Sequence, residues 1–84
     1  MSKQDKLIEK LLSHPKDFTF SELTTLLGRM GYSLSGASKT GGSRVRFENE
    51  KGDYLRLHKP HPRNILKPYQ VIDIINALNE RGLL

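Results

Sequence analysis

Eighty-four residues make one domain with room for only a small core. The chain has no cysteine, which excludes disulfides, thiol chemistry and cysteine-held zinc, and no apolar run nears the roughly 20 residues that span a bilayer. Fourteen Lys and Arg against nine Asp and Glu leave a formal charge of +5, which favours an anionic partner, nucleic acid first. The opening MSKQDKLIEKLL carries charges of both signs and no signal-like apolar stretch, so the expectation is a soluble, cytoplasmic protein.

In chain order, residues 3–13 predict a helix, with Leu7, Ile8, Leu11 and Leu12 on one stripe. His14-Pro15 ends it, because the residue before a proline is steered out of the helical region. Phe18 or Phe20 is expected to fold back on the core. Thr19-Phe20-Ser21-Glu22 fits a capping box. The helix behind it carries Leu23, Leu26, Leu27 and Met30 and stops at Gly31. Tyr32–Ala37 predicts a short strand with Tyr32 and Leu34 on one face. Ser38–Gly42 is a polar loop centred on a lysine. Two longer strands follow, at about 43–48 and 54–58, joined by a turn over Asn49–Asp53 that contains Gly52. His58-Lys59-Pro60-His61-Pro62 is an extended exit stiffened by its prolines. Pro68 suits the first turn of a last helix, whose stripe is Val71, Ile74, Ile75 and Leu78, with Ile72 beside it and Gly82 at its end. The order of helix, helix, three strands, helix predicts an α+β fold, a three-stranded antiparallel sheet with its helices on one face.

The charge is concentrated. Between Lys39 and Lys67 there are eight basic residues and three acidic ones, so the whole excess lies in that stretch. In the first long strand Val45 and Phe47 point one way and Arg44, Arg46 and Glu48 the other. In the second, Leu55 and Leu57 oppose Tyr54, Arg56 and His58. The apolar faces must coincide, which sets a register: Val45 across from Leu57, Phe47 from Leu55, Arg46 from Arg56, and Arg44 from His58. Two arginines opposed in this way repel unless an anion lies between them, a small pointer to bound phosphate.

Three motifs bear chemistry. Gly41-Gly42-Ser43 offers backbone N–H groups to a phosphate or is an ordinary turn into a strand; it lacks the spacing of a Walker loop. His58-x-x-His61 has no evident third ligand, so no metal and no cofactor are expected. The same two histidines suit metal-independent RNA cleavage. There a base activates the ribose 2′-OH, an acid protonates the leaving oxygen, and cations stabilise the phosphorane. Arginine fits only the last of these roles. A pair of histidines that merely lines an RNA-binding loop is the competing reading.

Residues 19–84 resemble the HicA toxins of bacterial toxin–antitoxin systems. The resemblance rests on Ser21-Glu22-Leu23, Met30-Gly31-Tyr32, Gly42-Ser43 before a strand ending in Phe47, Pro60-His61-Pro62, Leu66-Lys67-Pro68, and the closing helix up to Gly82-Leu83. It implies a fold like the double-stranded-RNA-binding domain over 19–84, with residues 1–18 as an N-terminal helical extension. It also implies an endoribonuclease that cuts mRNA, inhibits translation and is neutralised by a HicB antitoxin covering the active face. The family's catalytic histidine follows the Gly-Ser pair, where this chain has Arg44. Arg44, His58 and His61 are then the candidates for chemistry. Lys39, Gly42, Ser43, Arg46, Arg56, Lys59, Arg63 and Lys67 are the candidates for holding the RNA backbone. Three readings stay open: a variant in which Arg44 stabilises charge and a histidine moves the proton, an RNA-binding module or inactivated toxin that does not cut, and a protein-interaction domain with a basic face.

Overall fold

The protein is described from a computed structural model, over residues 3–35, 44–60 and 63–84. Helix α1 spans Lys3–Leu12, α2 Phe20–Arg29 and α3 Pro68–Glu80; strands β1, β2 and β3 are Ser33–Ser35, Arg44–Glu48 and Tyr54–His58. The strands form one antiparallel sheet in the order β1-β2-β3. This is the expected α+β domain with an N-terminal helix.

Local chemistry accounts for the element ends. α1 stops where His14 enters the left-handed region, at φ 54°, ahead of Pro15. Thr19 and Glu22 close the capping box in both directions: the Thr19 hydroxyl accepts the Glu22 N–H, and the Glu22 carboxylate accepts the Thr19 N–H, each at 3.0 Å. α2 ends at Gly31, whose φ of 92° a side chain would strain. Between β2 and β3 the Asn49 side chain accepts the N–H groups of Lys51 and Asp53, and Gly52 takes φ 86° to complete the turn.

The core lies between the helices and the inner face of the sheet. Leu23, Leu26 and Leu27 of α2 and Val71, Ile74, Ile75 and Leu78 of α3 are buried with Val45 and Phe47 of β2. Phe20 meets Phe47 with ring centroids 5.9 Å apart. Both Phe18 and Phe20 fold into this core, and Leu11 of α1 enters it with no exposed surface. α1 is fastened by charge as well: the Lys10 ammonium lies 3.0 Å from the Glu22 carboxylate. Burial pushes the Glu22 carboxyl up, but the Thr19 N–H and the Lys10 ammonium outweigh it and hold it below its ordinary value.

Three details differ from expectation. Leu12 faces solvent at 46% exposure: α1 turns Leu11 into the core and leaves Leu7 and Ile8 half-buried, a stripe too narrow to take in the fourth apolar residue. Tyr32 precedes β1 rather than sharing it with Leu34. Its ring is buried, whereas Leu34, across from Phe47 on an edge strand, stays 46% exposed. The stretch 18–20 pairs with 64–66, through Phe20 N–H to Asn64 C=O and Leu66 N–H to Phe18 C=O. The sequence pattern carries no sign of this pairing.

Candidate nucleic-acid interface

The register of β2 and β3 is the one that the coincidence of apolar faces requires. Val45 pairs with Leu57, Phe47 with Leu55, Arg46 with Arg56, and Arg44 with His58. Arg44, Arg46, Arg56 and His58 are all exposed on the outer face, opposite the core. The Asn49 N–H to Asp53 C=O bond closes the hairpin. Pairs alternate in an antiparallel ladder, so Glu48–Tyr54, Arg46–Arg56 and Arg44–His58 are the pairs without mutual backbone bonds. Side chains are closest at such pairs, with Cα atoms about 4.5 Å apart. The face therefore gathers its cations densely, and Arg44 lies directly across from His58.

The protein itself answers the repulsion between the opposed arginines. The Arg46 guanidinium lies 4.2 Å from the centre of the Tyr54 ring and that of Arg56 5.5 Å from it. Arg46 also meets the Glu48 carboxylate at 3.2 Å. A ring shared by both guanidinium groups and a carboxylate on one of them offset the repulsion, so the pairing alone does not call for phosphate. Tyr54, which the alternation by itself marks only as an outer position, thus joins the candidate site. Its signal was present: an aromatic residue two before Arg56 and across from Glu48 shares their face.

The far end of β3 is held from inside. Gln70 of α3 is buried; its Nε2 donates to the His58 carbonyl at 2.7 Å and its Oε1 accepts the Lys67 N–H at 3.0 Å. Lys67 has no side-chain acceptor to offer α3 as a cap, so Gln70 serves that end alone. One amide joins the start of α3 to the end of β3 and sets the backbone from which the imidazole projects. At the turn end, Arg81 donates to the Asp53 carboxylate at 2.7 Å and to the Tyr54 carbonyl at 3.2 Å, and the Tyr32 hydroxyl donates to Asp53 as well. The Arg81 guanidinium, then the Tyr32 hydroxyl, hold the Asp53 carboxyl below its ordinary value. Burial, then Asp53, push the Tyr32 phenol up.

The other candidates are dispersed. The Lys59 ammonium sits over the Phe20 ring at 5.7 Å, on the α2 side of the sheet's end. Arg63 and Lys67 are exposed in the segment that pairs with 18–20 and leads into α3. Lys39, Gly42, Ser43 and His61 lie outside the described residues. Among the described residues no group of three or more His, Cys, Asp or Glu is placed to hold a metal ion, and no helix is long and apolar enough to cross a membrane.

A hollow on the outer face is lined by Arg44, Arg56, Leu57 and His58. Around the edge of β3, a cleft of about 190 Å³ separates that strand from α3 and shares Arg56, Leu57 and His58 with the hollow. Neither the curated proteins nor the solved structures contain a match to the chain. Residues 20–79, from the first residue of α2 to the last turn of α3, match the family model described as "HicA toxin of bacterial toxin-antitoxin". This match covers most of the chain and every element except α1, and the chain belongs to the HicA toxin family.

Proposed function

We propose that this chain is an endoribonuclease toxin that binds mRNA on the outer face of β2 and β3 and cuts it in the cytoplasm. The observation that carries the reading is Arg44 directly across the ladder from His58, on an exposed cationic face that is continuous through Arg46 and Arg56. In the proposed reaction a histidine, His58 or His61, takes the proton of a ribose 2′-OH as its oxygen attacks the adjacent phosphorus. The bond to the 5′-oxygen breaks, that oxygen receives a proton, and a 2′,3′-cyclic phosphate remains on the upstream fragment. Imidazole suits both proton steps near neutral pH. Arg44 does not give up its proton and stabilises the charge gathering on the phosphorane. Arg46 and Arg56 position the backbone, joined by Lys59, Arg63, Lys67, Lys39 and the Gly42-Ser43 amides. A HicB-type antitoxin that lays an acidic surface over this face would silence it, and family membership supports that partner. Residues 1–18 act in this reading as an extension that braces α2.

The test is expression of the chain alone in a bacterial host beside His58→Ala and Arg44→Ala. Growth arrest with fragmented mRNA, lost in the folded His58 variant, is the expected outcome; cleavage retained without His58 would remove it from the chemistry. A second reading is favoured by Arg44 itself, which stands where the resemblance places a catalytic histidine. In that case the protein binds RNA by shape and 2′-hydroxyls without cutting it. Intact mRNA and normal growth with soluble protein present would select that reading.

A further inference from the structure

Strand β3 is an edge strand, and its outer edge faces α3. The carbonyls of Tyr54 and His58 turn away from β2 to meet Arg81 and Gln70. By the same alternation the N–H and C=O of Arg56, midway between them, point out of the ladder toward α3. The cleft lies there. Its floor is apolar, with Leu55, Leu57 and Ile74, and its rim carries the exposed Tyr69 and Asp73 of α3. At about 190 Å³ it is smaller than the roughly 300–1,000 Å³ of pockets for drug-sized ligands, so it takes one ring system rather than a larger molecule. It opens beside His58 and Arg56, which also line the hollow on the cationic face.

We infer that this cleft is a nucleobase pocket, and that it selects a base whose edge presents hydrogen-bond donors, guanine first. This rests on the outer face being the RNA-binding face. A strand of RNA lying along Arg44, Arg46 and Arg56 keeps its phosphates on the cations, and a base splayed from it at His58 meets the cleft mouth. Single-stranded RNA is read in this way, by bases unstacked onto aromatic side chains and bonded along their Watson–Crick edges. Tyr69 supplies the aromatic surface and the apolar floor takes the ring. Asp73 puts a carboxylate acceptor on a cleft that Arg56 and His58 also line: it rewards the adjacent N1–H and N2–H₂ of guanine, whereas uracil offers a single N3–H flanked by two carbonyl oxygens that the carboxylate repels. The Arg56 N–H adds a donor of the kind that the guanine O6 needs. An acidic protein partner fits the cleft less well, because its carboxylates would meet Asp73.

The experiment measures binding of a fluorescent short oligouridine, and of three versions with one central guanine, cytosine or adenine, to the full chain, all four carrying 2′-O-methyl riboses so that no 2′-OH is left to attack and His58 stays at the cleft mouth. The guanine version is expected to bind about tenfold more tightly than the plain oligouridine, the scale of one good bidentate contact. Asp73→Asn should erase that preference while leaving oligouridine binding in place. Ala77→Leu, which adds bulk to the cleft wall, should erase it by a second route. Arg44→Ala with Arg46→Ala, neither of which lines the cleft, should weaken all four equally. Equal binding of the four, unchanged by Asp73→Asn and Ala77→Leu but lost in the double arginine variant, overturns the pocket and leaves the RNA-binding face standing. Binding of none at low salt overturns both. Loss of antitoxin binding in Ala77→Leu with RNA binding unchanged assigns the cleft to the protein partner and overturns the inference.

Discussion

Helix α3 grips strand β3 at both ends, with different chemistry at each. At the turn end the clamp is charged and partly exposed: Arg81 and Tyr32 converge on Asp53, whose side chain keeps 41% of its surface in solvent. At the site end it is neutral and buried: Gln70, 4% exposed, spans from the His58 carbonyl to the Lys67 N–H. A charged clamp in water is weakened by salt and acid, and its net contribution is small. A buried amide is indifferent to both, but its removal leaves polar groups without partners. The end that aims the imidazole is therefore held by the interaction least sensitive to solution conditions, and the end that only closes a turn tolerates the weaker one.

The sharpest way to break this asymmetry is Gln70→Leu. It strands the His58 carbonyl and the Lys67 N–H together and should cost about 2 kcal/mol. In a domain of this size that lowers the melting temperature by about 10 °C, as thermal unfolding would show. On the proposed function, RNA cleavage should fall more steeply than the folded fraction at the assay temperature, because the end of β3 loses its anchor. A loss that only tracks unfolding would mean that Gln70 does not position His58.

Arg81→Ala attacks the other end. It removes the bridge to Asp53 and the bond to the Tyr54 carbonyl, yet both groups can turn to water. The melting temperature should drop by less than in Gln70→Leu, and cleavage per folded molecule should stay close to that of the parent. A larger loss than that of Gln70→Leu would reverse the ranking of the two clamps.

The smallest effect is in pH dependence. Asp53 has its folded-state pKa depressed from the ordinary 3.8, so its stabilisation is present above that value and is lost as pH falls through the lower folded value. Tyr32 has its pKa raised from the ordinary 10.0, so its contribution is whole below 10.0 and is lost as pH rises through the higher folded value. Denaturation followed against pH should show both limbs. Asp53→Asn should flatten the acid limb and Tyr32→Phe the alkaline one, while Gln70→Leu should leave the shape unchanged and only lower the curve.

Sequence reasoning reached the hairpin because everything needed for it is local. Alternation along β2 and β3 assigns each side chain a face, and the match of Val45 and Phe47 to Leu57 and Leu55 leaves one register. Arg44 across from His58 follows without further information, as does the concentration of charge on one side. The capping box at Thr19 and the stop at Gly31 were legible for the same reason: each is settled within four residues. Tyr54 was within reach by that logic, but its partnership with two arginines needs their side-chain directions as well.

What lay beyond the sequence depends on contacts between distant segments. Gln70 reads as an ordinary polar residue near the start of a helix, and only the packing of α3 against β3 buries it and hands it the His58 carbonyl. Asp73 and Tyr69 read as the solvent side of the same helix until the edge of β3 supplies the opposite wall of a cleft. Arg81, Asp53 and Tyr32 come from three segments that flank different elements and have no shared pattern along the chain. The sequence by itself determined the fold class, the strand register and the sign and face of the charge, because these follow from periodicity and from residue types within a few positions of one another. The tertiary structure alone decided what holds His58 in place and what stands beside it, because hydrogen bonds and cavities between elements depend on how those elements pack.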